Sequence, residues 1–152
     1  VTNKRIQQFE DCYNKAMELA DEIEDSDIVE VFKHVFKNKN VVAVIWCQNT
    51  PSWNDGDPCT FRQGDVHKVT KEMLLELEEG ERFKNLDELP PADQDALFDE
   101  ISLDELHEIA YNADYRGFDS SIPDLIAERM YGDAHVCITR TGKVRTSEYS
   151  DR

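Results

Sequence analysis

Apolar residues recur at spacings of three and four at the start of the chain: Ile6, Phe9, Tyr13, Met17 and Ala20, then Ile28, Val31, Phe32, Val35 and Phe36. That spacing is the stripe of an amphipathic helix, so residues 3–38 read as helical. Ser26-Asp27 offers a cap for a second helix, and the dense acids over residues 21–27 favour a break there. The pattern then changes. Residues 41–48, VVAVIWCQ, are β-branched, apolar and continuous, which predicts a buried strand. Pro51, the Asn-Asp-Gly-Asp run at 54–57 and Pro58 are turn chemistry, and residues 59–63 read as the returning strand of a β-hairpin with a wide tip.

Beyond residue 71 the apolar positions return to helical spacing. Met73, Leu74 and Leu77 predict a short helix, and Ala96, Leu97, Ile101, Leu106 and Ile109 predict one or two more after Pro90-Pro91. Ser102 with Glu105 three residues on has the form of a capping box. A last helix is expected from Ser120 or Ser121, with Pro123 in its first turn and Gly132 at its end. Val136, Ile138 and Val144 alternate across Thr141-Gly142, the pattern of a second hairpin. The expected fold is one α+β domain over residues 1–152: an antiparallel sheet from two β-hairpins, packed against several helices on one face.

Charge sharpens this picture. The chain carries 33 acids against 17 bases, a net −16. Residues 71–110 hold fourteen of those acids and three of the bases, so −11 sits in one helical block. A surface this negative repels nucleic-acid phosphates, and direct nucleic-acid binding is not expected. The four cysteines form no C-x-x-C pair, so a zinc knuckle is not indicated. No signal peptide or membrane-length apolar run occurs, which gives the expectation of a cytoplasmic protein with reduced thiols. Walker, G-x-S-x-G, H-E-x-x-H and dinucleotide-glycine patterns are absent from the sequence, and no cofactor or catalytic residue is called for.

The residues 46–61, WCQNTPSWNDGDPCTF, resemble the W-T-Q-Y-T-P-Y-F-N-D-G-D-P-C-x-F hairpin of a family of small phage and bacterial proteins. Tyr131-Gly132-Asp133-Ala134-His135-Val136, Thr139-Arg140-Thr141-Gly142 and Glu148-Tyr149 resemble that family's G-D-H-V-x-V-T-R-D-G pattern followed by E-Y. This chain departs from the pattern at Cys47, Asn49 and Trp53 and inserts Ala134. The resemblance implies an α+β fold and a phage or prophage origin, host cytoplasm included, and carries no activity with it. The acidic block lies outside it.

Two sites follow from the residues. The acidic block, with Glu76, Glu78, Glu79, Asp95, Asp99, Glu100, Asp104 and Glu105, can present carboxylates as a rigid helix face imitates the phosphates of DNA; the same run reads equally as a solvated face. Its expected partner is a basic protein surface, such as a host nucleic-acid-binding or defence protein, blocked by an acidic inhibitor. The alternative is a small-ligand or metal site at Asn54, Asp55 and Asp57, whose oxygens suit hard cations, flanked by Trp46 and Trp53. Against it stands a plain turn, with the aromatics packing the hairpin. Cys47 and Cys59, across one hairpin, with His67 or His135 are a weaker candidate for thiol chemistry; buried thiols are the simpler expectation. His34 and His107, in helical stretches, read as surface or boundary residues.

Overall fold

The structure, a computed structural model, describes residues 3–52, 55–56 and 58–149. Among them the chain forms six α-helices and a five-stranded antiparallel sheet, the expected α+β class. Helix α1 (Lys4–Glu22) opens on Asn3, whose side chain accepts from the backbone N–H groups of Arg5 and Ile6 and so satisfies donors that a helix start leaves free. The acids do break the helical run. Helix α2 (Asp25–Phe32) starts separately, fixed by Asp27, whose carboxylate accepts from the Glu24 N–H at 2.9 Å, and not by a Ser26 cap.

A 3₁₀ turn (Lys33–Lys37) leads into β1 (Val41–Asn49), the central strand. Strands β2 (Arg62–Gln63) and β3 (His67–Thr70) pair with opposite ends of one edge of β1. Strand β4 (Ala134–Thr139) lies along its other edge, and β5 (Val144–Glu148) pairs with β4. Both expected hairpins form, the first with a return strand shortened to two residues because Cys59, Thr60 and Phe61 stay outside the ladder. Cys47 therefore does not face Cys59. The residue beside it is Gly64, whose N–H donates to the Cys47 carbonyl at 2.7 Å.

The helices cover both faces of the sheet, where one face was expected. Ala43, Ile45, Val69 and Cys137 point into a core shared with Leu74, Phe83, Leu86, Phe98 and Leu106. Val44, Trp46, Val136 and Ile138 point the other way, against Ile28, Phe32, Ile122 and Ala127. The cause lies in β1: a strand apolar on both sides leaves greasy surface in water unless both sides are covered. The first layer is built by α3 (Lys71–Leu75), 3₁₀ turns at Gly80–Phe83 and Leu86–Glu88, α4 (Pro91–Asp99) and α5 (Leu103–Ala113). The second is built by α2 and α6 (Asp124–Tyr131). Helix α6 starts later than Ser120 or Ser121, with Pro123 as its cap residue, and ends at Gly132, where φ is +61°. No helix among the described residues is long and apolar enough to cross a membrane.

Gly80 carries one sharp requirement. It follows α3 where the chain doubles back, and a Cβ there would sit 2.4 Å from the Leu75 carbonyl oxygen and 2.6 Å from that of Leu74. Both are backbone atoms, so the clash cannot be relieved by rotating a side chain. Gly80→Ala is expected to cost about 2–3 kcal/mol, read as a lower urea midpoint at unchanged slope. A loss below about 0.5 kcal/mol, the size of an ordinary surface change, would mean that the turn yields freely.

Candidate functional site

The acidic block folds as a single layer. Its helices turn Leu74, Phe83, Leu86, Phe98, Ile101, Leu103 and Leu106 toward the same sheet face, which leaves the intervening acids pointing to solvent. Glu76, Glu78, Glu81, Glu88, Asp93, Glu105 and Glu108 are exposed, and none of them makes an ion pair among the described residues. Other acids of the layer are engaged within the protein. Asp99 holds Lys143 at 2.8 Å and Arg145 at 3.2 Å. Asp95 accepts from the Thr141 hydroxyl, Glu100 from Arg82, and Asp87 from Lys71. Glu79 lies 3.9 Å from Arg82 and adopts a left-handed backbone, φ +62°. Asp104 reaches His135. Of the eight acids singled out from sequence, Glu76, Glu78 and Glu105 are thus free on the surface, while Asp95, Asp99 and Glu100 pin the acidic layer to the hairpin and to itself.

The loop alternative looks different in three dimensions. Trp53, Asn54 and Asp57 lie outside the described residues. Asp55 (φ +49°) and Gly56 (φ +90°) are consecutive left-handed residues, the requirement of a type I′ turn that Asp-Gly meets readily. Trp46 is fully buried. Its ring packs on Phe32 at 5.4 Å between centroids, and its indole N–H donates to Gln48 at 3.0 Å. It is core, out of reach of any ligand at the loop. Among the described residues no three His, Cys, Asp or Glu side chains are placed to hold a metal ion.

A polar cluster that the sequence did not announce sits on the sheet face covered by α5. His67 from β3, His107 from α5 and His135 from β4 lie ring to ring, at 5.5 Å between the first pair and 5.2 Å between the second. Tyr111 flanks His67, and Tyr149 meets His135 edge-on at 4.9 Å. Asp104 Oδ1 is 3.1 Å from His135 Nδ1, but off the line of its ring N–H, so Nδ1 is left without a hydrogen bond. Burial holds the His107 imidazole down to about 4, helped by repulsion from His135 and His67. Burial lowers His135 as well, against the pull of Asp104. Both rings are neutral at pH 7.

Cys47 faces His135 directly across the β1–β4 ladder. It lines a shallow pocket with Asn49, Arg62, Gln63, Gly64, Asp65 and Tyr149. Burial nevertheless pushes its thiol up, and the Tyr149 hydroxyl and Arg62 only partly offset this. A protonated thiol is a poor nucleophile. Cys137 is wholly buried and pushed up to about 12. Cys12 and Cys59 are exposed, so the expectation of buried thiols at Cys47 and Cys59 holds in part for Cys47 and fails for Cys59.

The two stretches behind the family resemblance lie side by side as β1 and the β4–β5 hairpin, and their polar residues serve the backbone. Gln48 donates to the Ala127 and Gly132 carbonyls, both at 2.9 Å. Asp133 accepts from the Thr50 N–H at 3.0 Å. Arg140 donates to the carbonyls of Asn38 and Val41. Comparison with protein-family models, curated proteins and solved structures finds no match.

Proposed function

We propose that this protein is an acidic interaction module whose helical layer docks on a basic surface of another protein and blocks it, in the manner of a phage-encoded inhibitor or nucleic-acid mimic. One observation carries this reading: the carboxylates of residues 71–110 that make no internal ion pair stand on the outer surface of one rigid layer. Charges held on a packed layer meet a complementary surface without the ordering cost that a flexible acidic tail pays. Their attraction is long-ranged and speeds encounter. The chemistry fits a partner whose basic surface normally grips nucleic-acid phosphates, such as a host nucleic-acid-binding or defence protein.

The test is capture of partners from a bacterial lysate on the tagged protein, washed at low and then high salt, beside the variant Glu76→Lys/Glu78→Lys/Glu108→Lys. Among the described residues these positions make no ion pair, whereas Asp95 accepts from the Thr141 hydroxyl and Asp99 and Glu100 pair with Lys143 and Arg82, so reversing those three would also loosen the fold. The expected result is a basic protein held by the native chain, released at high salt and bound at least tenfold more weakly by the variant. Equal capture by both proteins, or no basic protein at all, would overturn the reading.

A further inference from the structure

In a chain at −16, one groove is basic. It lies between the 3₁₀ turn Lys33–Lys37 and the turn of the β4–β5 hairpin, and encloses about 760 Å³ lined by Lys33, His34, Lys37 and Arg140 together with Val29 and Phe36. That volume is in the ~300–1,000 Å³ range of small-molecule sites. The two segments that form it, residues 33–39 and 139–143, hold Lys33, Lys37, Lys39, Arg140 and Lys143 and no acid. Glu30 is the acid on the lining, and it lies 3.7 Å from Lys33.

Arg140 is the fixed point of the groove. It is half-buried. Its Nε donates to the Val41 carbonyl at 3.0 Å, and its Nη2 to the Asn38 carbonyl at 2.7 Å and to that of Val41. The guanidinium lies over the Phe36 ring, 5.8 Å from its centroid. These contacts orient the group without neutralising it. Arg140 forms no ion pair among the described residues, and its Nη1 has no hydrogen-bond partner there. A cation drawn partly out of water is normally paired, and in a chain of 33 acids the absence of one here points to an anion from outside. A planar fork with free N–H groups suits an oxyanion, and its rigidity lowers the ordering cost of binding.

The remaining lining says which anion. Lys37 makes no ion pair among the described residues, and Lys33 makes only the exposed one with Glu30, which is worth little. Two ammonium groups beside the fork favour a phosphate monoester, at about −1.5 to −2, over a single carboxylate. Val29 and Phe36 offer an apolar wall to the rest of the molecule. The net charge of the chain opposes any anion at long range, but salt screens that field beyond ~8 Å. Of the acids that reach the hairpin, Asp95 is bonded to the Thr141 hydroxyl, and Asp99 to Lys143 and Arg145. We propose that this groove binds a small phosphate monoester, with its phosphate against Arg140 and Lys37 and its apolar body against Val29 and Phe36.

The probe is phenyl phosphate, followed by the amide resonances of Phe36, Thr141 and Gly142 in the whole protein. A saturable shift with a dissociation constant below about 1 mM is expected. Inorganic phosphate should move the same amides more weakly, and phenol should leave them in place. Replacing Arg140 would also free the Asn38 and Val41 carbonyls, so the test uses Lys33→Gln/Lys37→Gln, two exposed positions outside the core. This variant should bind at least tenfold more weakly with an unchanged thermal melt. Lys15→Gln/Lys84→Gln makes the same change of charge at exposed positions off the groove, and should stay within twofold of the native chain. No saturable shift from either phosphate up to about 10 mM, well past the weak limit of specific binding, would overturn the proposal. Equal weakening by the two double variants would do the same, because diffuse attraction would then account for the binding, as would a response to phenol equal to that of phenyl phosphate. The groove lies outside residues 71–110, so Lys33→Gln/Lys37→Gln should leave capture of a basic partner intact, and the two readings fail separately.

Discussion

Trp46→Ala is expected to remove about 4 kcal/mol of stability, a large share of the 5–15 kcal/mol typical of a domain. The side chain is fully buried on the face of β1 opposite the acidic layer, among Phe32, Val66, Val136 and Ala127. Part of the loss is the cavity left by the indole. Part is polar. The indole N–H fixes the Gln48 carboxamide so that its amino group bonds the Ala127 and Gly132 carbonyls and ties down the end of α6. Trp46→Phe separates the two terms: it keeps a ring against Phe32 but orphans Gln48 Oε1, at a cost of about 1–3 kcal/mol. Thermal denaturation should show a fall of about 10 °C or more for Trp46→Ala and a smaller one for Trp46→Phe. Equal losses would mean that the hydrogen bond, and not the ring volume, dominates. A loss under about 1 kcal/mol would contradict the packing altogether.

How far the sequence anticipates this arrangement depends on how local each determinant is. Strand β1 is legible because six apolar residues in a row leave no other economical fate, and Ser102 is legible as a cap because its partner lies three residues away. Strand β3 is hidden: His-Lys-Val-Thr holds one apolar residue, and the inward partner of Val69 is His67, a residue that reads as polar yet is 4% exposed. The histidine cluster joins three segments that no spacing rule connects. The acidic block looks unpaired along the chain because the cations that hold Asp99 are Lys143 and Arg145, on a hairpin more than forty residues away. The stripe of α1 is equally plain in sequence, but a stripe records only that something must cover it. Read alone it predicts a helix lying on the core; the fold instead sends it outward.

The histidine cluster predicts an acid-labile fold with a defined window. His107 is held near 4 in the folded chain against about 6.5 when unfolded, and His135 is lowered in the same direction. Between those values the unfolded state binds more protons, so stability rises with pH. The stabilising term is whole above pH 6.5 and is lost as pH falls toward 4, when a charge must enter a site already flanked by His67, His135 and Tyr111. Among the described residues Asp104 is the group that favours the charged rings. His107 is partly open to water, which screens the penalty, so its share is about 1–2 kcal/mol rather than the full value of the shift. His135 adds to it. The carboxylates oppose this trend, because protonating them relieves the self-repulsion of a chain at −16, and the native profile alone is a mixture. The difference between native protein and His107→Gln removes that mixture: both carry the same acids, but the variant has no ring to protonate at position 107. Urea denaturation from pH 7.5 to pH 4.5 should therefore show the variant losing about 1–2 kcal/mol less than the native chain, with the divergence confined to pH below 6.5. Parallel profiles would mean that the buried rings accept protons without strain, and that the cluster is wetter than its packing indicates.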